Sequence, residues 1–182
     1  MQEFYNKLIA KCNGLNVAPS QHLLFVSIKS QRLYLFDGSR EVKTYAVSTS
    51  RAAPSCVENS LGTPTGLHKI DGKIGAGEPL ETVFRARRPC GLVRDQSAQE
   101  RAKNLITTRI MRLRGLEDGV NSGVSGGVNV DTYNRCVYIH GTNQERKLGT
   151  PNSHGCVLLS NRDVAELFDV VNDGSLVLIS RE

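Results

Sequence analysis

Three observations predict a mainly β domain with one substantial helix near its C-terminus. Short runs rich in Leu, Ile, Val, Thr and Tyr recur along the chain, separated by Asp-Gly and other turn signals. Only Val164, Leu167, Phe168 and Val171 repeat at helical spacing between a capping sequence and a stop signal. A length of 182 residues suits one core, whereas two domains would each be small. Many strands with one helix imply a sandwich or a strongly curved sheet.

Residues 1–21 form a helical or irregular lead-in ending near Pro19, and residues 22–182 form the domain proper. His22 to Ile28 and Arg32 to Phe36 are strands parted by the polar turn Lys29-Ser30-Gln31. Asp37-Gly38 is a hairpin signal, and Val42 to Ser48 returns as the third strand of a meander. Ser50 to Thr63 is a polar loop. Pro64 to Ile70 is a strand that Asp71-Gly72 breaks. Gly72, Gly75 and Gly77 make a glycine-rich connection without the Gly-Lys-Ser/Thr of a phosphate loop. Glu81 to Arg88 and Leu105 to Leu113 are extended, with a short helical insertion over Arg94 to Lys103. Gly115 to Asp131 is a mobile loop of Gly, Asn and Ser. Cys136 to His140 is a strand that delivers His140 at its end. Ser160 and Asp163 form a Ser-x-x-Asp cap for the last helix, with Asn161 as an alternative cap. Asp173-Gly174 ends that helix, and Leu176 to Ile179 is a closing strand.

Composition narrows the function classes. Apolar residues make up 39% of the chain, and no run approaches the length of a membrane span. The first fourteen residues hold no long apolar segment, so no signal peptide is read there. The protein is then cytoplasmic, or its targeting segment lies outside this sequence. The net charge is +5, and the excess concentrates between Arg85 and Arg114, opposed only by Asp95 and Glu100. Such a stretch suits a polyanion or a solvated face. Without an aromatic platform or a helix-turn-helix pattern, nucleic acid is not indicated. The five cysteines are odd in number and lack Cys-x-x-Cys, which points to free thiols. His22 and His68 lie away from any motif and are structural or surface residues, and Tyr133 and Tyr138 either pack in the core or line the candidate site.

The chemistry gathers between Tyr138 and Asn161. Tyr-Ile-His-Gly-Thr-Asn is followed by a polar connection and then by Ser-His-Gly-Cys-Val-Leu-Leu-Ser-Asn. A thiol becomes a strong nucleophile when an imidazole takes or displaces its proton. Cys156 is the candidate nucleophile, and His140 the candidate base, brought to it by the fold. His154 lies two residues before Cys156, so an extended segment points both side chains to one face, where His154 polarises the thiol or supports the site. Gly155 permits close approach of a substrate to the backbone. Ser153 stabilises the turn. His140, His154 and Cys156 are also zinc-ligand types, but no zinc spacing is matched.

These stretches resemble the L,D-transpeptidase catalytic domain (YkuD family). The resemblance extends to Leu24–Val47, which is similar to the family's first strands, and to Gly62-Thr63-Pro64-Thr65-Gly66, similar to its Thr-Pro-x-Gly turn. It covers roughly residues 22–180. It implies an L,D-transpeptidase-like β-sandwich with the cysteine near the start of the C-terminal helix. It also implies that His140 is the base, that the Gly141 carbonyl holds its other ring nitrogen, and that the N–H groups of His154, Gly155 and Cys156 receive the oxyanion. The implied activity is acyl transfer on peptidoglycan tetrapeptide stems through a Cys156 thioester, forming 3-3 cross-links without metal or organic cofactor. The implied partners are donor and acceptor stem peptides and carbapenems that acylate the cysteine; the implied compartment is the periplasm or cell envelope. The sequence departs from many relatives at Leu158, where a polar residue, often arginine, is usual. Arg162, Arg146 and Lys147 are nearby in sequence to compensate. The same residues also suit an L,D-carboxypeptidase that uses water as acceptor, or a wall-binding module with an inactive site.

Overall fold

The run Leu23–Val26 has no polar alternation, so a strand made from it must be covered on both faces. The computed structural model of the chain, which describes residues 2–182, meets that demand with two cores. Helix α1 (Gln2–Gly14) precedes the meander β1 (His22–Ser27), β2 (Arg32–Asp37) and β3 (Arg40–Ala46). Strand β4 (Gly66–Ile74), the hairpin β5 (Thr82–Arg85) and β6 (Arg88–Leu92), the short helix α2 (Ala98–Arg101) and the long strand β7 (Ile106–Gly115) follow. The chain continues through the small hairpin β8 (Val124–Ser125) and β9 (Val128–Asn129), then β10 (Tyr138–Thr142) and β11 (Val157–Leu159). It ends with α3 (Asn161–Val170) and β12 (Leu176–Ser180).

One ten-stranded sheet runs β11-β10-β7-β4-β12-β1-β2-β3, with β5 and β6 attached beside β7. The chain beyond β3 returns to the opposite end of this path. Ser48 bridges Leu158, and Ser50 bridges Ser153. The sheet is therefore curled around one core, in which Leu24, Val26, Val177 and Ile179 meet Val164, Leu167 and Phe168 of α3. The alternate residues Leu23, Phe25, Leu176 and Leu178 point outward to a second core closed by Leu8 and Cys12 of α1. The period of two along a strand thus divides each apolar run between the cores. The lead-in is a helix whose Leu8 and Cys12 are fully buried, and Phe4 stacks on Phe25 with ring centroids 4.5 Å apart.

The sequence-based boundaries shift in several places. Strand β10 runs Tyr138–Thr142 and carries His140 at its centre, not at the end of a strand from Cys136, whose φ of 57° lies outside the extended region. Strand β4 does not stop at Asp71-Gly72; it passes through them with a register irregularity between Ile70 and Lys73. Glu81–Arg88 is not one extended run but a hairpin that turns at Ala86 (φ 48°) and Arg87 (φ 64°), without the glycine or asparagine that usually marks such a turn. Val157–Leu159 is a strand, parallel to β10, that three apolar residues were too few to announce. The loop from Gly115 to Asp131 is not free. Buried Glu117 accepts the Leu67 N–H at 2.7 Å and pairs with Lys11 at 2.5 Å. Buried Asn121 donates to the carbonyls of Thr65 and Leu67 at 3.1 Å each.

Much of the basic stretch has structural partners. Arg85 pairs with Glu100, and Arg114 with Asp71. The guanidiniums of Arg112 and Arg114 stack over the Tyr133 ring at 3.6 and 3.8 Å. His68 is fully buried, with its ring nitrogens beside the Gly66 carbonyl and the Thr132 hydroxyl. All five cysteines are free thiols.

Because α1 closes the second core, Leu8→Ala is expected to lower stability by about 2–5 kcal/mol, the usual cost of such a cavity. Urea unfolding followed by circular dichroism measures it, and a change within ~0.5 kcal/mol would show that α1 contributes little to folding.

Candidate active site

The site forms where β10 and β11 run side by side, with His140 opposite Leu158 and Ile139 opposite Val157. The pairing of β10 with β7 slips between His140 and Gly141, jumping from Ile110 to Thr107. Such a bulge re-aims the side chains next to it. Thr108 within the bulge has φ 67°, a strained value for a β-branched residue. Asn161, the first residue of α3, holds the arrangement. Its Oδ1 accepts the hydroxyls of Thr107 and Thr108, and its Nδ2 donates to the Thr142 carbonyl at 3.2 Å and to Glu145 at 2.7 Å. Gly141 lies against this hub. A Cβ there would stand 2.7 Å from the Thr107 carbonyl oxygen and 3.0 Å from Asn161 Oδ1. Helix α3 starts as its capping sequence predicts, with the Asp163 N–H donating to Ser160 Oγ at 3.0 Å.

His140 is 3% exposed, and its Nδ1 lies 2.8 Å from the Gly141 carbonyl oxygen. A carbonyl only accepts, so Nδ1 carries the proton and Nε2 presents a lone pair. Burial pushes the imidazole down to about 4, and the Gly141 contact opposes this only in part. Cys156 Sγ accepts the Tyr138 N–H at 3.4 Å and lies 3.8 Å from the Cys136 carbonyl. Burial pushes its thiol up to about 11, against the smaller opposing effect of the Tyr138 N–H. The resting pair is therefore a neutral thiol and a neutral imidazole, not the thiolate and imidazolium that a cysteine–histidine pair often forms. Among the described residues no hydrogen bond joins Sγ to His140. Both border one cavity of about 180 Å³, together with Ser153, His154, Asn104 and Leu158.

The turn before Cys156 is pinned from both sides. Ser153 Oγ donates to the Cys156 carbonyl at 2.6 Å and accepts the Gly155 N–H at 3.1 Å. The N–H groups of Asn152 and Ser153 both donate to the Thr49 carbonyl at 2.9 Å, which ties the turn to the chain leaving β3. Gly155 has φ 127°, open essentially to glycine alone. The segment is consequently bent, not extended, although His154 and Cys156 still border the same cavities. The three-donor oxyanion site also needs correction. The Gly155 N–H is taken by Ser153, whereas those of His154 and Cys156 have no acceptor among the described residues. His154 is exposed, and its Nε2 lies 3.4 Å from an Arg51 nitrogen. Arginine only donates, so Nε2 is the acceptor in this contact.

Leu158 is 1% exposed and gives the His140–Cys156 cavity an apolar wall. The cations expected to compensate for it lie elsewhere. Arg146 and Lys147 line a separate recess of about 430 Å³ beside Glu145, and Arg162 lines another. Neither recess includes Cys156. Two arginines that the sequence did not single out do lie nearby: Arg51, against His154, and Arg135, which borders a second cavity of about 230 Å³ together with His154 and Cys156. Each stands outside the His-Gly and Ser-His-Gly-Cys stretches, so no local motif marks it. Tyr138 packs in a small cluster with Phe84 and Ile110 against Cys156, and its hydroxyl accepts from Arg87 at 3.1 Å. No metal-binding group of three or more His, Cys, Asp or Glu side chains occurs among the described residues.

Residues 21–179 match the family model of the L,D-transpeptidase catalytic domain, YkuD. Over 43 residues, 24% of this chain and 26% of the relative, the sequence is 44% identical to YkuD of Bacillus subtilis (strain 168). The fold is similar to an L,D-transpeptidase from Mycobacterium smegmatis (TM-score 0.53, 15% identity), covering 88% of this chain and 58% of that one. It is similar to L,D-transpeptidase 3 from Mycobacterium tuberculosis in complex with a faropenem-derived adduct (TM-score 0.53, 15% identity, covering 88% and 60%). It is also similar to an L,D-transpeptidase from Xylanimonas cellulosilytica (TM-score 0.54, 17% identity, covering 90% and 62%). At these identities the likeness to solved structures is one of fold, and the chain spans about three-fifths of their length.

The neutral resting pair sets a pH dependence. With the thiol near 11, about one molecule in ten thousand carries a thiolate at pH 7. Alkylation of Cys156 by iodoacetamide is therefore expected to accelerate about tenfold per pH unit from 7 to 10. Peptide-mapping mass spectrometry follows that site separately from Cys136. A rate that is flat across this range would mean a preformed thiolate–imidazolium pair.

Proposed function

Because the chain belongs to the L,D-transpeptidase catalytic domain family, we propose that it carries out cysteine-dependent acyl transfer on peptidoglycan tetrapeptide stems. The observation that carries this reading is the shared cavity of Cys156 and His140, with the Nε2 lone pair fixed by the Gly141 contact. Sγ turns from the Tyr138 N–H toward Nε2 and loses its proton to it as the sulfur attacks the carbonyl carbon after the L-centre of the diaminopimelate residue. A base of low affinity for protons acts in this way within the attack, not before it. The unpaired N–H groups of His154 and Cys156 receive the oxyanion. Collapse of the tetrahedral intermediate breaks the C–N bond, and the His140 imidazolium protonates the departing D-alanine amine. An acceptor amine then attacks the thioester carbon and gives up a proton to His140. The C–S bond breaks, and the sulfur recovers its proton as a thiol. The product is a 3-3 cross-link.

A second observation favours transfer between two peptides. Cys156 borders both the 180 Å³ cavity that holds His140 and the 230 Å³ cavity that holds Arg135, so a donor and an acceptor have separate approaches to one sulfur. The same sulfur is the proposed site of acylation by carbapenems, and the cell envelope is the proposed place of action. No helix among the described residues is long and apolar enough to cross a membrane.

Incubation with a tetrapeptide stem is expected to release D-alanine and give a protein adduct visible by intact mass. An added amine acceptor should capture the acyl group as a cross-linked product. Cys156→Ala is expected to abolish adduct and product, and His140→Ala to slow adduct formation about 10²- to 10⁴-fold. A tripeptide as the sole product in the presence of acceptor would mean hydrolysis. Unchanged turnover in Cys156→Ala would end the cysteine mechanism.

A further inference from the structure

Arg135 combines three properties that the acyl-transfer steps do not use. It is half-buried, it borders the 230 Å³ cavity together with Cys156, and among the described residues it makes no ion pair. Its protein partners are neutral. Nη1 donates to the Ser55 carbonyl at 3.0 Å, and Nη2 to the Gly62 carbonyl at 2.8 Å and to Ser60 Oγ at 3.4 Å. These contacts hold the guanidinium in place beneath the loop that follows β3, and they leave N–H donors over from the five that arginine carries. Burial disfavours its positive charge. Exposed Glu58 borders the same cavity without coming within ion-pair distance of it. A cation held by neutral carbonyls in a cavity bounded by a nucleophile lacks only an anion of its own.

We propose that Arg135 binds the C-terminal carboxylate of the donor peptide and thereby selects donors whose scissile bond lies one residue from a free C-terminus. This deepens the acyl-transfer reading and rests on it. A peptide attacked at its last peptide bond places its carboxylate one residue, about 3.8 Å in Cα spacing, beyond the attacked unit. Of the two cavities that Cys156 borders, only the one with Arg135 offers that carboxylate a cation in its lining. Planar arginine matches a carboxylate through paired N–H donors, as an ammonium group cannot. The role is one of specificity: it takes the place in recognition that apolar Leu158 cannot fill and that Arg146, Lys147 and Arg162 stand too far aside to fill.

Two paired comparisons test it. In the first, wild type is expected to consume a tetrapeptide donor with a free C-terminal carboxylate about ten- to a hundredfold faster, in kcat/KM, than the same donor as its C-terminal amide. Arg135→Gln should bring the two donors to near parity by slowing the free acid alone, and Arg135→Lys should recover part of the preference. Equal loss on both donors, or a preference unchanged in Arg135→Gln, would overturn the proposal; equal loss would assign Arg135 to holding the loop. The second comparison needs no peptide. The rate of Cys156 alkylation by anionic iodoacetate, relative to neutral iodoacetamide, should fall about tenfold or more in Arg135→Gln and return in part in Arg135→Lys. If wild type consumes neither peptide yet the alkylation ratio shifts, the peptidoglycan reading fails while the anion site at Arg135 stands. If the ratio does not move, the anion site fails.

Discussion

The carbonyl of Thr49 is the point on which this architecture turns. It lies just beyond β3, at one end of the sheet path, and receives the N–H groups of Asn152 and Ser153 from the chain entering the other end. With the bridges from Ser48 to Leu158 and from Ser50 to Ser153, it fastens the curled sheet to itself. A turn carrying Cys156 on an isolated loop would wander. Here it is held between β10, which brings the histidine, and the return of β3, which has no catalytic group of its own. The bent backbone that results is the reason glycine stands at position 155.

The second constraint is electrical. His140 and Cys156 are both held in surroundings that penalise charge, so the pair rests in uncharged form. Ionising them in advance would cost more here than in water, and in the proposed reaction the proton leaves the sulfur only as it attacks a carbonyl. The same surroundings strengthen any hydrogen bond to a developing oxyanion. Arg135 is an exception to this apolar regime, held by carbonyl oxygens where a carboxylate would ordinarily stand.

The strands, the last helix and its cap were legible because period and punctuation are local properties of a chain. The two candidate stretches around His140 and Cys156 stood out for the same reason, since glycine, histidine and cysteine stand in short fixed patterns. What escaped depended on distance. Val157–Leu159 is a strand only because β10 lies beside it, and the Ala86-Arg87 turn adopts positive φ without a residue that favours it. Arg135 and Arg51 reach the site through tertiary folding, as does the role of Asn161 beneath Gly141, which sequence could read only as a possible cap. The neutrality of the cysteine–histidine pair was equally hidden, because burial belongs to the fold and not to the motif. Leu158 showed the converse: its departure was visible in sequence, but the cations next to it in the chain line recesses that do not include Cys156.

Helix α1 lies outside the stretch that the family match covers, yet its Lys11 reaches Glu117, which in turn grips the start of β4 at Leu67. Trimming the protein at the family boundary would bare Leu23, Phe25, Phe36 and Leu178 to water at a single stroke. Such a fragment would keep every group of the chemistry and still be a poor reagent, because a greasy β surface of that kind recruits copies of itself into aggregates.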